Sequence, residues 1–250
     1  MKAIIIHDGG DIRLEEVPDP EIEQSHDAIV RLTASSICDK DLNILNEKYS
    51  AMIPENFLEH EGVGIVEQLG AGVNNLNIGD RVIVPSIMAC GSCSHCRADD
   101  YAHCDQTNPN ERVTDASFFN RQKEHGPWAE KVRVPLANIN LLKLPDPTTD
   151  NQAMDNADTL PTRYSGDDKA TTKAGHTVAV FGCGPVGLLA IARARLLHTE
   201  RIFAIDTSPE RLQKAKELGA EIINCNREDP IKAIKRLTAA PAPIQAVATM

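Results

Sequence analysis

Short apolar runs of β type, separated by Gly, Pro and Asp, fill the first half of the chain: Lys2 to Ile6, Ala28 to Ala34, Val63 to Leu69, Arg81 to Pro85 and Lys131 to Pro135. They predict a compact, mainly antiparallel unit. In Lys131, Val132, Arg133 and Val134 charged and apolar residues alternate, which predicts a strand with one wet face near a sheet surface. The rhythm changes after about Ala170. Thr177 to Phe181 reads as a buried strand, Pro185 to Leu197 as a helix, Arg201 to Asp206 as a strand and Pro209 to Leu218 as a helix. Ala220 to Asn224, Asp229 to Leu237 and Ile244 to Ala248 extend the series as strand, helix and strand, so a parallel α/β sheet follows the β-rich unit. Ser208 suits the cap of the second helix, Pro209 its first position and Gly219 a left-handed close. The stretch from Pro145 to Asp158 is the expected domain junction.

Apolar residues make up 42% of the 250 and charged ones 25%, enough to bury one or two cores and too ordered a mix for a disordered chain. The net charge of −10 repels nucleic-acid phosphate and anionic membranes and suits a small neutral or cationic partner. His7 and Asp8 close the first apolar stretch before a signal-peptide core can form, which gives a cytoplasmic expectation. The longest uncharged run, His176 to Ala192, carries Gly182, Gly184, Pro185 and Gly187 near its middle and reads as strand, turn and helix, not as a membrane span.

Three constellations carry chemistry. Cys90, Cys93, Cys96 and Cys104 follow a CxxCxxCx7C spacing that lets four thiolates meet on one tetrahedral ion. The long last gap and Asp105 after Cys104 favour zinc over an iron–sulfur cluster. Four sulfur ligands leave no open position, so this zinc is structural, and His95 and His103 in the same loop are expected to face solvent. Cys38 with His60 and Glu61 forms a weaker second set, compatible with a metal site or with a buried thiol and a hydrogen-bonded imidazole. The third is FGCGPVG, in which Gly182, Gly184 and Gly187 sit between a strand and a helix, the context of a dinucleotide turn. Asp206 ends the next strand, where its carboxylate can accept both ribose hydroxyls and repel a 2′-phosphate, favouring NAD over NADP. Cys183 reads as a small turn residue and Cys225 as a semi-buried thiol.

In this order the three features resemble the zinc-dependent medium-chain alcohol dehydrogenases, closest to the branch of the glutathione-independent formaldehyde dehydrogenases. GDIRLEEVPDPEI, DAIVRLTASSIC, YAHCD, AEKVRVPLANINLLKLPD and TVAVFGCGPVGL carry the resemblance. It implies a GroES-like β-rich catalytic domain over residues 1–160 and the first part of a Rossmann doubly wound parallel sheet over residues 161–250. It also implies a catalytic zinc held by Cys38, His60 and Asp158, with Glu61 adjacent and a fourth position left for water or substrate. The implied activity is an oxidoreductase: zinc polarises the oxygen of an alcohol or of an aldehyde or its hydrate, and hydride passes to NAD. The implied cofactor contacts are Gly182, Gly184, Pro185, Val186, Gly187, Asp206 and Arg211. The implied partner is a small alcohol or aldehyde, with a homo-oligomer in full-length relatives and no nucleic acid or membrane.

The chain departs from the family pattern at defined places. It reads CDKDLN after the first ligand, so Lys40 stands where a proton-relaying hydroxyl is usual and Asn43 where a relay histidine often lies. Glu59 replaces the glycine before His60, and Arg163 a glycine in the PTGY stretch. Family members run roughly a hundred residues beyond Met250 and complete the nicotinamide half of the sheet there. These departures support a second reading, a zinc-stabilised, nucleotide-binding derivative with little or no turnover. A zinc-ribbon nucleic-acid module is disfavoured by the acidic charge.

Overall fold

The computed structural model describes residues 1–7, 11–37, 41–42, 56–57, 61–107, 126–154, 157, 172–238 and 244–248, with residues 6, 56–57 and 244–248 described as backbone. The chain divides into two compact units, Met1–Asp158 and Thr159–Met250.

In the first unit, strands run β1 (Lys2–Ile6), β2 (Ile12–Glu16), β3 (Ala28–Ser35), β4 (Asn56–Phe57), β5 (Gly62–Leu69), β6 (Arg81–Val84), β7 (Lys131–Val134) and β8 (Leu142–Lys143). Every pairing among them is antiparallel, in a sheet ordered β2-β1-β4 and a second ordered β7-β3-β5-β6-β8. Alternate valines and alanines point to one side, so that Ala28, Val30, Val66, Val82, Val84, Val132 and Val134 form one core with Met88. Gly64 makes this pairing possible: a Cβ there would lie 2.4 Å from the Arg31 carbonyl oxygen across the strand. Short helices also belong to the unit, among them α1 (Ser94–Arg97), α2 (Ala137–Asn140) and α3 (Asp150–Met154). Ala153 of α3 and the nearby Ala157 pack with Val63 and Ile83, filling the end of the sheet.

The alternation in β7 misleads at one position. The strand lies at the edge of its sheet, and Arg133 is buried rather than wet. The reason is a carboxylate at the other end of its side chain. Asp27 is 1% exposed, its Oδ2 lies 2.9 Å from Nη1 of Arg133, and Glu23 approaches Nη2 at 3.4 Å. A guanidinium can be buried once it is paired and hydrogen-bonded in this way.

The second unit alternates β9 (Thr177–Phe181), α4 (Pro185–Leu196), β10 (Arg201–Asp206), α5 (Pro209–Glu217), β11 (Glu221–Asn224), α6 (Pro230–Thr238) and β12 (Ile244–Ala248). The four strands are parallel in the order β11-β10-β9-β12. Both faces are covered, which explains the unbroken apolar runs. Val178, Val180, Ile202 and Ala204 pack against Ala190, Ile191 and Ala194 of α4 and Leu212 and Ala215 of α5. Ala179, Phe203, Ile205 and Ile223 pack on the opposite face against Ala233 and Ile234 of α6. The Ser208 hydroxyl accepts the Arg211 N–H at 3.3 Å, and Gly219 at φ +92° closes α5, as the sequence predicts. Among the described residues no helix is long and apolar enough to cross a membrane.

Candidate functional site

The four cysteines of the 90–104 loop come together. Their sulfurs all lie within 4.8 Å of one another, with Cys96 and Cys104 buried and Cys90 and Cys93 half-buried. Local backbone rules explain the convergence. Gly91 at φ +73° turns the chain sharply enough for the amides of Ser92 and Cys93 to point at Cys90 Sγ, at 3.4 and 3.3 Å. Cys93 caps α1, accepting the Cys96 N–H on its sulfur at 3.4 Å. The ends of the loop are pinned: buried Asn140 exchanges two hydrogen bonds with Ala89, and the Thr107 hydroxyl donates to the Met88 carbonyl at 2.7 Å.

The acidities within this cluster diverge. The Ser92 hydroxyl, hydrogen-bonded to the sulfur, is the main cause pulling the Cys90 thiol down to about 6, whereas burial pushes Cys96 up to about 12. Four thiolates this close need a cation to remain ionised together. The donor set fits a closed tetrahedral zinc site.

A second arrangement sits at the end of β9. Gly182 takes φ +93°, and Gly184 caps α4 with no side chain over the helix N-terminus. A Cβ on Gly184 would meet nothing within 4 Å, so the backbone there lies open beside the first amides of α4, Pro185 at its first position contributing none. Val186 is partly buried and Gly187 fully so, beneath the turn. This is the environment that a pyrophosphate requires.

Asp206 ends β10 beside that turn. Its carboxylate accepts the N–H groups of Cys183, Thr207 and Ser208 at 2.7, 2.7 and 2.8 Å, and Arg211 Nη1 stands 3.9 Å away. Burial works against the charge, but the three amides and Arg211 together hold the carboxyl below its ordinary value. The group is therefore an anion locked to the glycine turn itself. Cys183 is fully buried, and its thiol is pushed up to about 11 chiefly by burial, which makes it a packing residue of the turn. Cys225 is exposed rather than semi-buried, because it follows β11, an edge strand of the sheet; its N–H donates to the Asp206 carbonyl at 3.1 Å.

Of the remaining set, Glu61 is described and is 5% exposed. The Ser36 hydroxyl donates to its Oε1, and the Trp128 indole N–H holds the Ser36 carbonyl at 2.9 Å. Ser35 pairs with Gly62 across β3 and β5, so the strand that leads toward Cys38 and the strand that follows His60 are joined at their ends. Ser36 and Trp128 were not singled out from the sequence; isolated residues of common type carry no spacing signal. Cys38, His60 and Asp158, together with Lys40, Asn43, Glu59 and Arg163, lie outside the described residues.

Comparison with known proteins places these features in one context. Residues 24–146 match the alcohol dehydrogenase GroES-like domain, and residues 185–249 match the zinc-binding dehydrogenase domain. An uncharacterized zinc-type alcohol dehydrogenase-like protein from Bacillus subtilis is 37% identical over 90% of this chain and 61% of its own length. A glutathione-independent formaldehyde dehydrogenase from Pseudomonas aeruginosa is 33% identical over 92% of this chain and 60% of its own. The solved structure of an alcohol dehydrogenase from Thermus sp. ATN1 superposes with a TM-score of 0.85 at 33% identity, covering 100% of this chain and 78% of that one. The chain thus spans about three fifths of the length of these two curated relatives.

Proposed function

The chain belongs to the zinc-dependent medium-chain alcohol dehydrogenase family, and on that premise we propose that it serves an NAD-dependent oxidation of a small alcohol or of an aldehyde or its hydrate. Residues 1–160 would form the catalytic domain and residues 161–250 the dinucleotide-binding part. The observation that carries the reading is the anionic Asp206 fixed by the Cys183 amide to the open turn at Gly184. A carboxylate held there accepts ribose hydroxyls and disfavours a 2′-phosphate, while the amides opening α4 receive the pyrophosphate. Pro185, Val186 and Gly187 shape the turn, and Arg211 stands beside the carboxylate as a further cofactor contact.

Cys38, His60 and Asp158 are the proposed ligands of a catalytic zinc, a donor set of thiolate, imidazole and carboxylate that leaves one position open. When bound, that ion supplies Lewis-acid polarisation of the substrate oxygen. Glu61, its Oε1 accepting the Ser36 hydroxyl, adds a buried carboxyl group next to His60 in the chain, a further oxygen donor for a cation nearby. Cys90, Cys93, Cys96 and Cys104 hold the loop zinc, whose role is structural. A cytoplasmic location and a homo-oligomeric state are part of the same proposal.

The second reading, a nucleotide-binding derivative with little turnover, is favoured by Lys40, Glu59 and Arg163, which replace the family's relay hydroxyl and two of its glycines. One experiment separates the two. NAD should raise the melting temperature, by a stabilisation of about 2.7 kcal/mol at a hundredfold excess over Kd, with NADP far less effective. NADH should form with an alcohol and aldehyde panel and disappear in Cys38→Ala. Stabilisation by NAD without turnover would select the derivative, and no stabilisation at all would defeat both.

A further inference from the structure

We propose that Ser36 is a positioning residue of the catalytic metal centre, acting through Glu61 and backed by Trp128, a role that rests on the catalytic zinc proposed above. In the chain Ser36 stands two residues before Cys38 and Glu61 one residue after His60. The bond from the Ser36 hydroxyl to Glu61 Oε1 therefore ties the two segments that carry these ligands to each other. β3 and β5 pair to their ends, with Ser35 opposite Gly62, which sets Ser36 and Glu61 side by side just past the last pair.

A third segment holds this joint from behind. The Trp128 indole N–H donates to the Ser36 carbonyl at 2.9 Å, fixing the backbone from which the short serine side chain must reach Glu61. Trp128 itself belongs to a strap along β1: its carbonyl accepts the Ile4 N–H at 2.8 Å, Ala129 bridges Ala3, and the Glu130 N–H donates to the Lys2 carbonyl at 3.1 Å. The strap also closes over the start of β5. A Cβ on Gly62 would come within 3.3 Å of the Pro127 Cβ and 2.9 Å of Leu32 Cδ2, so the residue after Glu61 has no room to shift. The carboxyl is thus oriented by one strand end, and that strand end is anchored to the other sheet.

Metal donors act only at a narrow range of distance and direction, so the groups hydrogen-bonded behind them set affinity as well as the donors themselves. At 5% exposure Glu61 has little water with which to replace the serine hydroxyl. Loss of that hydroxyl releases the Oε1 end of the carboxyl and uncouples the segment leading to Cys38 from the one following His60. A serine that served stability alone would leave metal affinity unchanged. One that acts through Glu61 has no effect on the metal once Glu61 is gone.

The test is a competition titration of zinc-loaded full chain against a chromophoric chelator, in which the zinc absent from Cys38→Ala identifies the catalytic site. Ser36→Ala should weaken that zinc about tenfold or more, the usual effect of removing an outer partner of a metal site. The four-cysteine zinc should stay. Ser36→Thr, which keeps the hydroxyl, should restore the affinity, and Ser36→Ala/Glu61→Ala should bind no more weakly than Glu61→Ala alone. Trp128→Phe, which keeps the ring and loses the N–H, should weaken the same zinc by a smaller factor and decides the matter if Ser36→Ala does not fold. Wild-type affinity in Ser36→Ala or in Trp128→Phe, or a Ser36→Ala loss that adds in full to that of Glu61→Ala, would overturn the proposal and leave the catalytic zinc standing. A wild type that holds only the four-cysteine zinc would overturn both.

Discussion

At the scale of single residues, function depends on what each side chain is held by. Asp206 accepts three amides, so Asp206→Ala should unfasten the turn as well as remove the proposed ribose acceptor. NAD binding should fall by at least about tenfold, the equivalent of 1.4 kcal/mol, with the NAD-over-NADP preference reduced; titration of both cofactors measures this. The carboxyl's lowered pKa has a pH consequence of fixed sign. Its contribution to stability is present above the ordinary carboxylate value and is lost as the pH falls through the lower folded value. Melting curves of wild type and Asp206→Asn should therefore converge as the solution is acidified below pH ~4. Much of this site was legible beforehand, since glycines, a capping helix and a carboxylate at fixed spacing are local signals. What spacing does not reveal is that Asp206 is bonded to Cys183, because that contact arises only when β9 and β10 lie side by side. Ser36 and Trp128, which brace Glu61, were invisible for the same reason: they are 92 residues apart and meet only in the folded sheet.

At the scale of elements, the strands and helices with strong patterns were read to within a residue or two. The helix from Pro185 and the capped helix at Ser208 are examples, each with its punctuation in the chain itself. Short pieces such as β2, β8 and α2 escaped because two to five residues give too little periodicity, and tertiary partners define them. β7 shows how a pattern can mislead. Its alternation indicated a wet face, yet Arg133 is buried against Asp27, and a period of two cannot see a partner 106 residues away. Asp27→Ala leaves that guanidinium without its buried counter-charge and should destabilise the first unit by about 3–5 kcal/mol in chemical denaturation. In the parallel sheet, Phe203 is fully buried between β9, β11 and α6, and Phe203→Ala should cost about 3–5 kcal/mol, read in the same way. The four-cysteine loop has little apolar core of its own, so Cys104→Ala should release its zinc and lower the melting temperature together.

At the scale of the whole molecule, an antiparallel β-rich unit carrying a closed cysteine site is followed by a parallel sheet whose open glycine turn is tied to an acidic residue. This order matches the two family domains recognised along the chain, the GroES-like domain over residues 24–146 and the zinc-binding dehydrogenase domain over residues 185–249. The central claim is that the chain keeps a working catalytic metal site beside its structural one. Zinc per chain, measured on freshly purified and dialysed protein, tests it most directly, because no substrate need be guessed. The account predicts two tightly held zinc ions, one lost in Cys38→Ala and the other in Cys104→Ala. A single zinc that survives Cys38→Ala and disappears in Cys104→Ala would contradict it.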